Sequence, residues 1–444
     1  MRILMVSRGV MSVGRSSGGA EFVAFELAGH LAHRGEEVVL VSDVDSSLLE
    51  KLPAKLLIAE VGTYRGAGRL VRLIPLEFPR WVAQHLLGNV RVARRAHAML
   101  KSDEQGFDII HVHGALAAIL LRRALRTHAE RIPLVYTEHD STPWSCRYRR
   151  RFERSVRRFV YRGVNLRACR AATAIIANFP SLADELAARA GIPRSRFTTV
   201  SNAAAAGWLS GEHGAESVRA RYGFDRYCLF VGSLIDRKGP DVLLHALSDV
   251  RLPCIFVGDG PMRASLERLA ERAGIADRVV FTGALERSEL RSYYLGAEAL
   301  VLPSVSEGVP LVAIEALGIG VPVVASNLTG IASVVQHHEN GLLIEPGDKV
   351  SLARALSVFE NDAATRVKLR LGAKRSGHGV ATWSDVVNQL CALYARHRPA
   401  RPETPAAGEA MAELSAADLQ IVDDLTHPSQ TTVAASEPGQ AARV

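Results

Sequence analysis

The sequence predicts an α/β protein made of two successive parallel-sheet domains. Three observations carry that prediction. Short apolar runs such as RILMVS (2–7), CLFV (228–231), CIFV (254–257) and ALVL (299–302) have the length and composition of strands buried on both faces. Stretches with helical spacing separate them, so strand and helix alternate as in βαβ units. The chain has 444 residues, comfortable for two domains, and an Ala-, Gly- and Ser-rich stretch near 203–216 reads as the linker. The expected division is 1–202, linker 203–216, 217–380, a last helix 381–397 and a tail 398–444.

Hydrophobic residues make up 48% and charged residues 23%, enough apolar material for sizeable cores. MRILMV is too short for a signal-peptide core and reads as a first strand. The apolar region around Glu315 is broken by Glu and Pro and fails as a membrane span. The chain is therefore expected in the cytoplasm. Its five cysteines, Cys146, Cys169, Cys228, Cys254 and Cys391, show no metal-ligand spacing. Neither structural zinc nor a disulfide framework is expected, and Cys228 and Cys254 read as core thiols. The net charge of +8 admits nucleic acid, an anionic membrane or an anionic substrate, and its location must decide.

Along the first half, the opening strand leads into GRSSGGAEFVAFELAGHLAHRG. Gly18 and Gly19 read as a tight turn, and Phe22, Phe25, Leu27 and Leu31 as the core face of the helix. EVVLVS closes this βαβ unit. Residues 64–98 are rich in Arg, FDIIHVHG is another strand, and PLVYTEHD ends a further one at His139. Residues 144–170 carry ten arginines from Arg147 to Arg170, with Phe152, Val156, Phe159 and Val160 between them at helical spacing. Such a basic amphipathic helix suits an anionic membrane surface, a structural role with the apolar stripe turned inward, or an anionic acceptor. Nucleic acid is disfavoured because no binding module accompanies it. FTTVSN closes the first domain.

In the second half, CLFVGSLIDRKGPDVLLHAL gives strand, Arg237-Lys238-Gly239 turn and helix, and VGDGP gives a glycine turn at Gly258. The most informative stretch is VLPSVSEGVPLVAIEALGIGVPVVAS, 301–326. A strand, a polar loop and a helix opened by Pro310 leave the amides of Gly308, Val309 and Leu311 to face an anion. Glu307 precedes that helix and Glu315 lies inside it, with seven residues between. Both can reach one pocket at the strand ends, where open α/β sheets bind ligands. A nucleotide-diphospho-sugar suits that pocket: phosphate on the helix N-terminus, a ribose diol on Glu315, the sugar on Glu307. The alternative is a loop acid and a solvated helix acid. The Pro- and acid-rich tail from 398 reads as disordered, with a short helix at 411–425 an option.

Taken together, these motifs resemble the retaining glycosyltransferases of family 4, with the two-Rossmann-domain GT-B fold. Glu307 and Glu315 match the acidic E-x7-E pair, and the glycine loop, the Lys238-Gly239 turn and VGDGP match in order over roughly 1–397. The resemblance implies that Gly18 and Gly19 let the backbone approach the donor diphosphate or the acceptor. It implies that His139 contacts the donor sugar, that Lys238 pairs with the diphosphate and that Gly258 lies near the nucleotide. Ser233 stands where the family usually has Arg, and Arg237 is the candidate replacement. Ala203–Ala205 replace the usual Gly-Val-Asp, and Ser333 replaces a usual Glu. The resemblance also implies a nucleotide-sugar donor, a glycan or lipid-linked acceptor, no metal and no other cofactor. Polysaccharide or glycoconjugate synthesis follows as the setting, with contact at the inner membrane face through Arg147–Arg170 an open option. Rival readings are a sugar-nucleotide epimerase, a phosphorylase and a catalytically inactive scaffold. No motif for a phosphorylase's cofactor lysine is present.

Overall fold

The computed structural model describes residues 1–11, 19–44, 53–61, 77–103, 106–125, 132–139, 151–205, 208–209 and 215–399. The tail from 400, with the optional 411–425 helix, lies outside the described residues, as do Cys146 and parts of the linker.

The apolar runs form strands, as their composition requires. In the first lobe these are β1 (Arg2–Met11), β2 (Glu37–Val44), β3 (Leu56–Glu60), β4 (Ile109–Val112), β5 (Leu134–Glu138), β6 (Ala174–Ala177) and β7 (Phe197–Thr199). They pair in parallel in the order β3-β2-β1-β4-β5-β6-β7. The second lobe holds β8 (Cys228–Val231), β9 (Cys254–Val257), β10 (Val279–Gly283), β11 (Ala299–Leu302), β12 (Val323–Ser326) and β13 (Gly341–Ile344), in the parallel order β10-β9-β8-β11-β12-β13. Strands β4, β8, β9, β11 and β12 are buried at every residue. This is why they lack the alternation of a half-exposed sheet. Strand order reverses between β1 and β4 and again between β8 and β11, so a crevice opens at the carboxyl ends of each pair.

On the first helix, Gly19–His33, Leu27 and Leu31 lie in the core as expected, while Phe22 and Phe25 pack against its edge. The helix buries Val23, Ala24, Leu27, Ala28, Leu31 and Ala32, while Phe22 and Phe25 are only half-buried. The buried stripe follows pairs three and four residues apart, and the two Phe rings flank it. Phe22 packs edge-on against Trp383, with centroids 6.5 Å apart.

The last helix, Trp383–His397, crosses back to the first lobe. Trp383, Val386, Val387, Leu390 and Tyr394 share one apolar cluster with Ile3, Met5, Val23 and Leu27. Thr382 and Asp385 form a capping box that fixes where this helix starts. Arg398, expected to open the tail, instead donates to Asp108 at 3.1 Å and belongs to the folded body. The lobes are also tied near the linker, where Asn202 donates to the Val309 carbonyl at 2.9 Å and the Trp208 indole to the Glu315 carbonyl at 3.1 Å. Cys169, Cys228, Cys254 and Cys391 are free thiols, and Cys228 and Cys254 are buried at the same register of β8 and β9. No described helix is long and apolar enough to cross a membrane.

Candidate active site

The second lobe builds its part of the site at its strand-order reversal. β8 leads through a short loop into the Asp236–Lys238 turn, and Gly239 closes that turn in the left-handed region, φ 67°. A Cβ on Gly239 would stand 2.3 Å from the Pro303 carbonyl oxygen, so only glycine lets this turn lie against the loop after β11. That contact sets Lys238 beside Glu307. The Lys238 ammonium lies 2.5 Å from one Glu307 oxygen and the Arg237 guanidinium 3.7 Å from the other. Ser304 donates to Glu307 at 2.9 Å, and Arg237 also donates to the Ser306 carbonyl at 2.9 Å. Burial alone would push the Glu307 carboxyl up, but Lys238 and Arg237 together outweigh it and hold it below the usual carboxylate range. Arg237 thus stands in the cluster where Ser233 offers no cation.

Gly258 has a packing role in this lobe, in the turn after β9. Its φ is +129°, and a Cβ there would meet the Gly232 carbonyl oxygen at 2.1 Å. The glycine lets the β9 loop close onto the β8 loop that carries Arg237 and Lys238.

Pro310 is the N-cap, in an extended conformation, and the helix runs Leu311–Gly318. It therefore starts one residue later than the sequence reading, which placed Pro310 in the first turn. Gly308 and Val309 are buried at the turn into it, and Leu311 is half-buried. Glu315, on the second turn, is 3% exposed. One of its oxygens lies 2.6 Å from Arg287 and the other 3.4 Å from the Tyr294 hydroxyl. Burial raises its carboxyl above the usual range, and Arg287 opposes that without cancelling it.

The first lobe contributes imidazoles. His111 and His113 alternate along β4 and just past it, and His139 follows β5. His113 Nδ1 and His139 Nε2 are 2.7 Å apart, with rings stacked at 5.0 Å. His111 bridges the Tyr394 hydroxyl at 2.6 Å and the Thr137 hydroxyl at 2.7 Å. Burial, with the neighbouring imidazoles, pushes His111 down to about 3 and His113 well below the usual range, so both stay neutral. Before His139, the buried Glu138 accepts from Tyr136, Tyr161 and Asn165 at 2.9, 3.0 and 2.9 Å. That network braces the end of β5. His139 and Asn202 line one small pocket with His111, Thr137 and Trp383. Since Asn202 also bonds Val309, the imidazole end of the first lobe lies beside the loop that carries Glu307.

Gly19 is the first residue of its helix and exposed, and a Cβ there would meet nothing within 4 Å. Gly18 and the Arg147–Arg150 part of the basic stretch lie outside the described residues. Sequence reasoning missed Arg287, Tyr294 and His113. The His-x-His alternation at 111 and 113 was a usable signal for the last. Arg287 had only its place shortly after the Thr282-Gly283 turn. Among the described residues, no three His, Cys, Asp or Glu side chains are grouped as metal ligands.

Two all-parallel lobes, each opening its strand-order reversal to a crevice, with a last helix returning to the first lobe, define the GT-B class of glycosyltransferases. Residues 17–205 match the family described as Glycosyltransferase Family 4, and residues 216–376 match Glycosyl transferases group 1. The chain belongs to the group 1, family 4 glycosyltransferases. It is 28% identical over 398 residues to D-inositol 3-phosphate glycosyltransferase 1 of Catenulispora acidiphila, covering 86% of this chain and 91% of that protein. It is 32% identical over 156 residues to the putative teichuronic acid biosynthesis glycosyltransferase TuaC of Bacillus subtilis, 34% of this chain and 38% of that protein. In three relatives matched over such shorter stretches, the chain spans 38–45% of their length. The fold is similar to that of Anabaena HepE, solved in complex with UDP-glucose, with TM-score 0.67 and 21% identity over 89% of this chain and 100% of that one.

Proposed function

We propose that the chain transfers a sugar from a nucleotide-diphospho-sugar to a glycan or lipid-linked acceptor, with retention at the anomeric carbon. The observation that carries this reading is the buried Glu307 held ionised by Lys238 and Arg237 where β8 and β11 diverge. Lys238 has three donors, so it can keep Glu307 and still meet a diphosphate oxygen. These cations are fixed before charge develops on the leaving phosphate, so they lower the barrier without reorganising. Glu307, already oriented by Ser304, is left to bind sugar hydroxyls. Glu315 receives the ribose diol, and His139, braced by His113, faces the sugar from the first lobe. In the front-face route the anomeric C–O bond to phosphate breaks as the acceptor oxygen bonds on the same face, and the leaving phosphate takes the acceptor proton. No metal and no separate base are required in this reading. The UDP-glucose complex of HepE makes UDP-sugars the first donors to test.

The acceptor is proposed to be reached at an anionic membrane surface, in polysaccharide or glycoconjugate synthesis. The helix Arg151–Gly163 supports this. Tyr161 anchors it inward to Glu138, while Phe159 is 78% and Val160 36% exposed among Arg157, Arg158 and Arg162. Exposed aromatic and aliphatic groups between arginines match what an interfacial helix presents to a bilayer. Preferential sedimentation with anionic over neutral vesicles is expected, and equal sedimentation contradicts the membrane contact. Mass spectrometry and NMR of products from a panel of UDP- and GDP-sugars test the chemistry. A new glycoside with retained configuration is expected. A free epimerised sugar nucleotide, or no product with any donor, contradicts transfer.

A further inference from the structure

Arg287 lies outside the motifs that carry the family resemblance, yet it contacts Glu315 directly. It is the first residue of the helix Arg287–Gly296, whose start is fixed by a capping box between Glu286 and Glu289. Its guanidinium lies 2.6 Å from Glu315, 4.6 Å from the centre of the Phe22 ring and 5.5 Å from a Trp208 ring. Phe22 belongs to the first lobe, Trp208 to the segment between the lobes and Glu315 to the second. Tyr294, two turns along the same helix, reaches the other Glu315 oxygen at 3.4 Å. One capped helix thus orients both oxygens of the carboxylate.

We propose that Arg287 is a positioning residue for the donor: it fixes the Glu315 carboxylate that receives the ribose diol and ties that carboxylate to the first lobe through Phe22. This rests on the nucleotide-sugar reading of the site. A carboxylate has about four lone-pair positions, so with one engaged by Arg287 and one by Tyr294 there is room for two ribose hydroxyls. Aromatic faces suit a planar guanidinium and not a lysine ammonium. The charged and titratable groups around Glu315 are Arg287 and Tyr294 on that helix and Glu26 on Gly19–His33. Glu26 is itself pushed up by burial and opposed by Arg287. Glu315 is buried deeply enough that, without Arg287, the neutral acid is favoured further, and a protonated acid accepts the diol less well.

The test is calorimetric titration of UDP- and GDP-sugars into the wild type, Arg287→Met and Arg287→Lys between pH 6 and 8.5. In Arg287→Met, donor binding is expected to weaken by about tenfold at neutral pH, and to weaken further as pH falls. Arg287→Lys keeps the charge, so its pH profile should return toward the wild type while affinity stays reduced. Equal or tighter donor binding by Arg287→Met, with an unchanged pH profile, overturns the proposal. A second measurement needs no donor: urea midpoints of Arg287→Met, Glu315→Gln and the double variant. Non-additive losses support the hold of Arg287 on Glu315, and additive losses overturn it. A wild type that binds none of the donors overturns the ribose role together with the donor reading, and the urea cycle then decides the Arg287–Glu315 pairing by itself.

Discussion

Replacing Lys238 by Met removes the closest partner of a buried carboxylate and keeps the side chain's length. Glu307 is 7% exposed, and the Lys238 side chain, 2.5 Å away, is 18% exposed. Deleting one member of a buried pair costs about 3–5 kcal/mol where nothing else compensates. Here Ser304 remains at 2.9 Å and Arg237 at 3.7 Å, so about 2–3 kcal/mol is the expected loss at neutral pH. For a lobe of this size that is a fall of about 5–10 °C in melting temperature. The pH dependence has a definite sign. The folded Glu307 carboxyl titrates below its unfolded value, so its contribution is fully present above the unfolded value and is lost as pH falls through the folded one. Protonation also relieves the unpaired charge in the variant. The gap between wild type and Lys238→Met, measured by urea denaturation, should be open at pH 7 and narrow as pH falls through the carboxylate range. No gap at pH 7, or a gap that stays constant down to pH 3.5, refutes the reasoning that Lys238 holds Glu307 ionised.

Two further substitutions probe the scaffold on each side of the cleft. Gly258→Ala combines an unfavourable φ with a Cβ 2.1 Å from a backbone oxygen, so it should cost at least about 2 kcal/mol and loosen the loop carrying Lys238, read as a lower urea midpoint and weaker donor binding together. His113→Phe keeps a buried ring but deletes the contact to His139. It should lower kcat about tenfold, the weight of one hydrogen bond, with donor KM nearly unchanged, and an equal rise in KM would place the effect on binding instead.

Much of this was legible in the residues. The short Val-, Ile- and Leu-rich runs had the length and composition of strands covered on both faces. Lys238 and Glu307 were expected in one crevice, since they follow strands β8 and β11, which lie side by side; the direct ion pair between them was not expected. What stayed hidden depends on where helix ends meet in space. Helical spacing marks a stripe but not its edges, so Phe22 and Phe25 were assigned to the core when Val23 and Ala24 fill it and Phe22 turns toward Trp383 and Arg287. Arg287 and Glu315 are 28 residues apart and joined only by the packing of separate helices. Pro310 was assigned to the first turn, but its extended ψ of 126° makes it the cap. Arg398 looked like the start of a polar tail because its partner, Asp108, lies 290 residues earlier.

The most direct test of the account is calorimetric titration of the intact chain and of Glu315→Ala with UDP- and GDP-sugars. The account predicts that the wild type binds one of these donors in a single site. It also predicts that Glu315→Ala binds that donor about 10- to 100-fold more weakly, the worth of a charge-assisted hydrogen bond to the ribose. A wild type that binds no nucleotide-sugar, or a Glu315→Ala chain that binds it as tightly as the wild type, contradicts the assignment of the crevice.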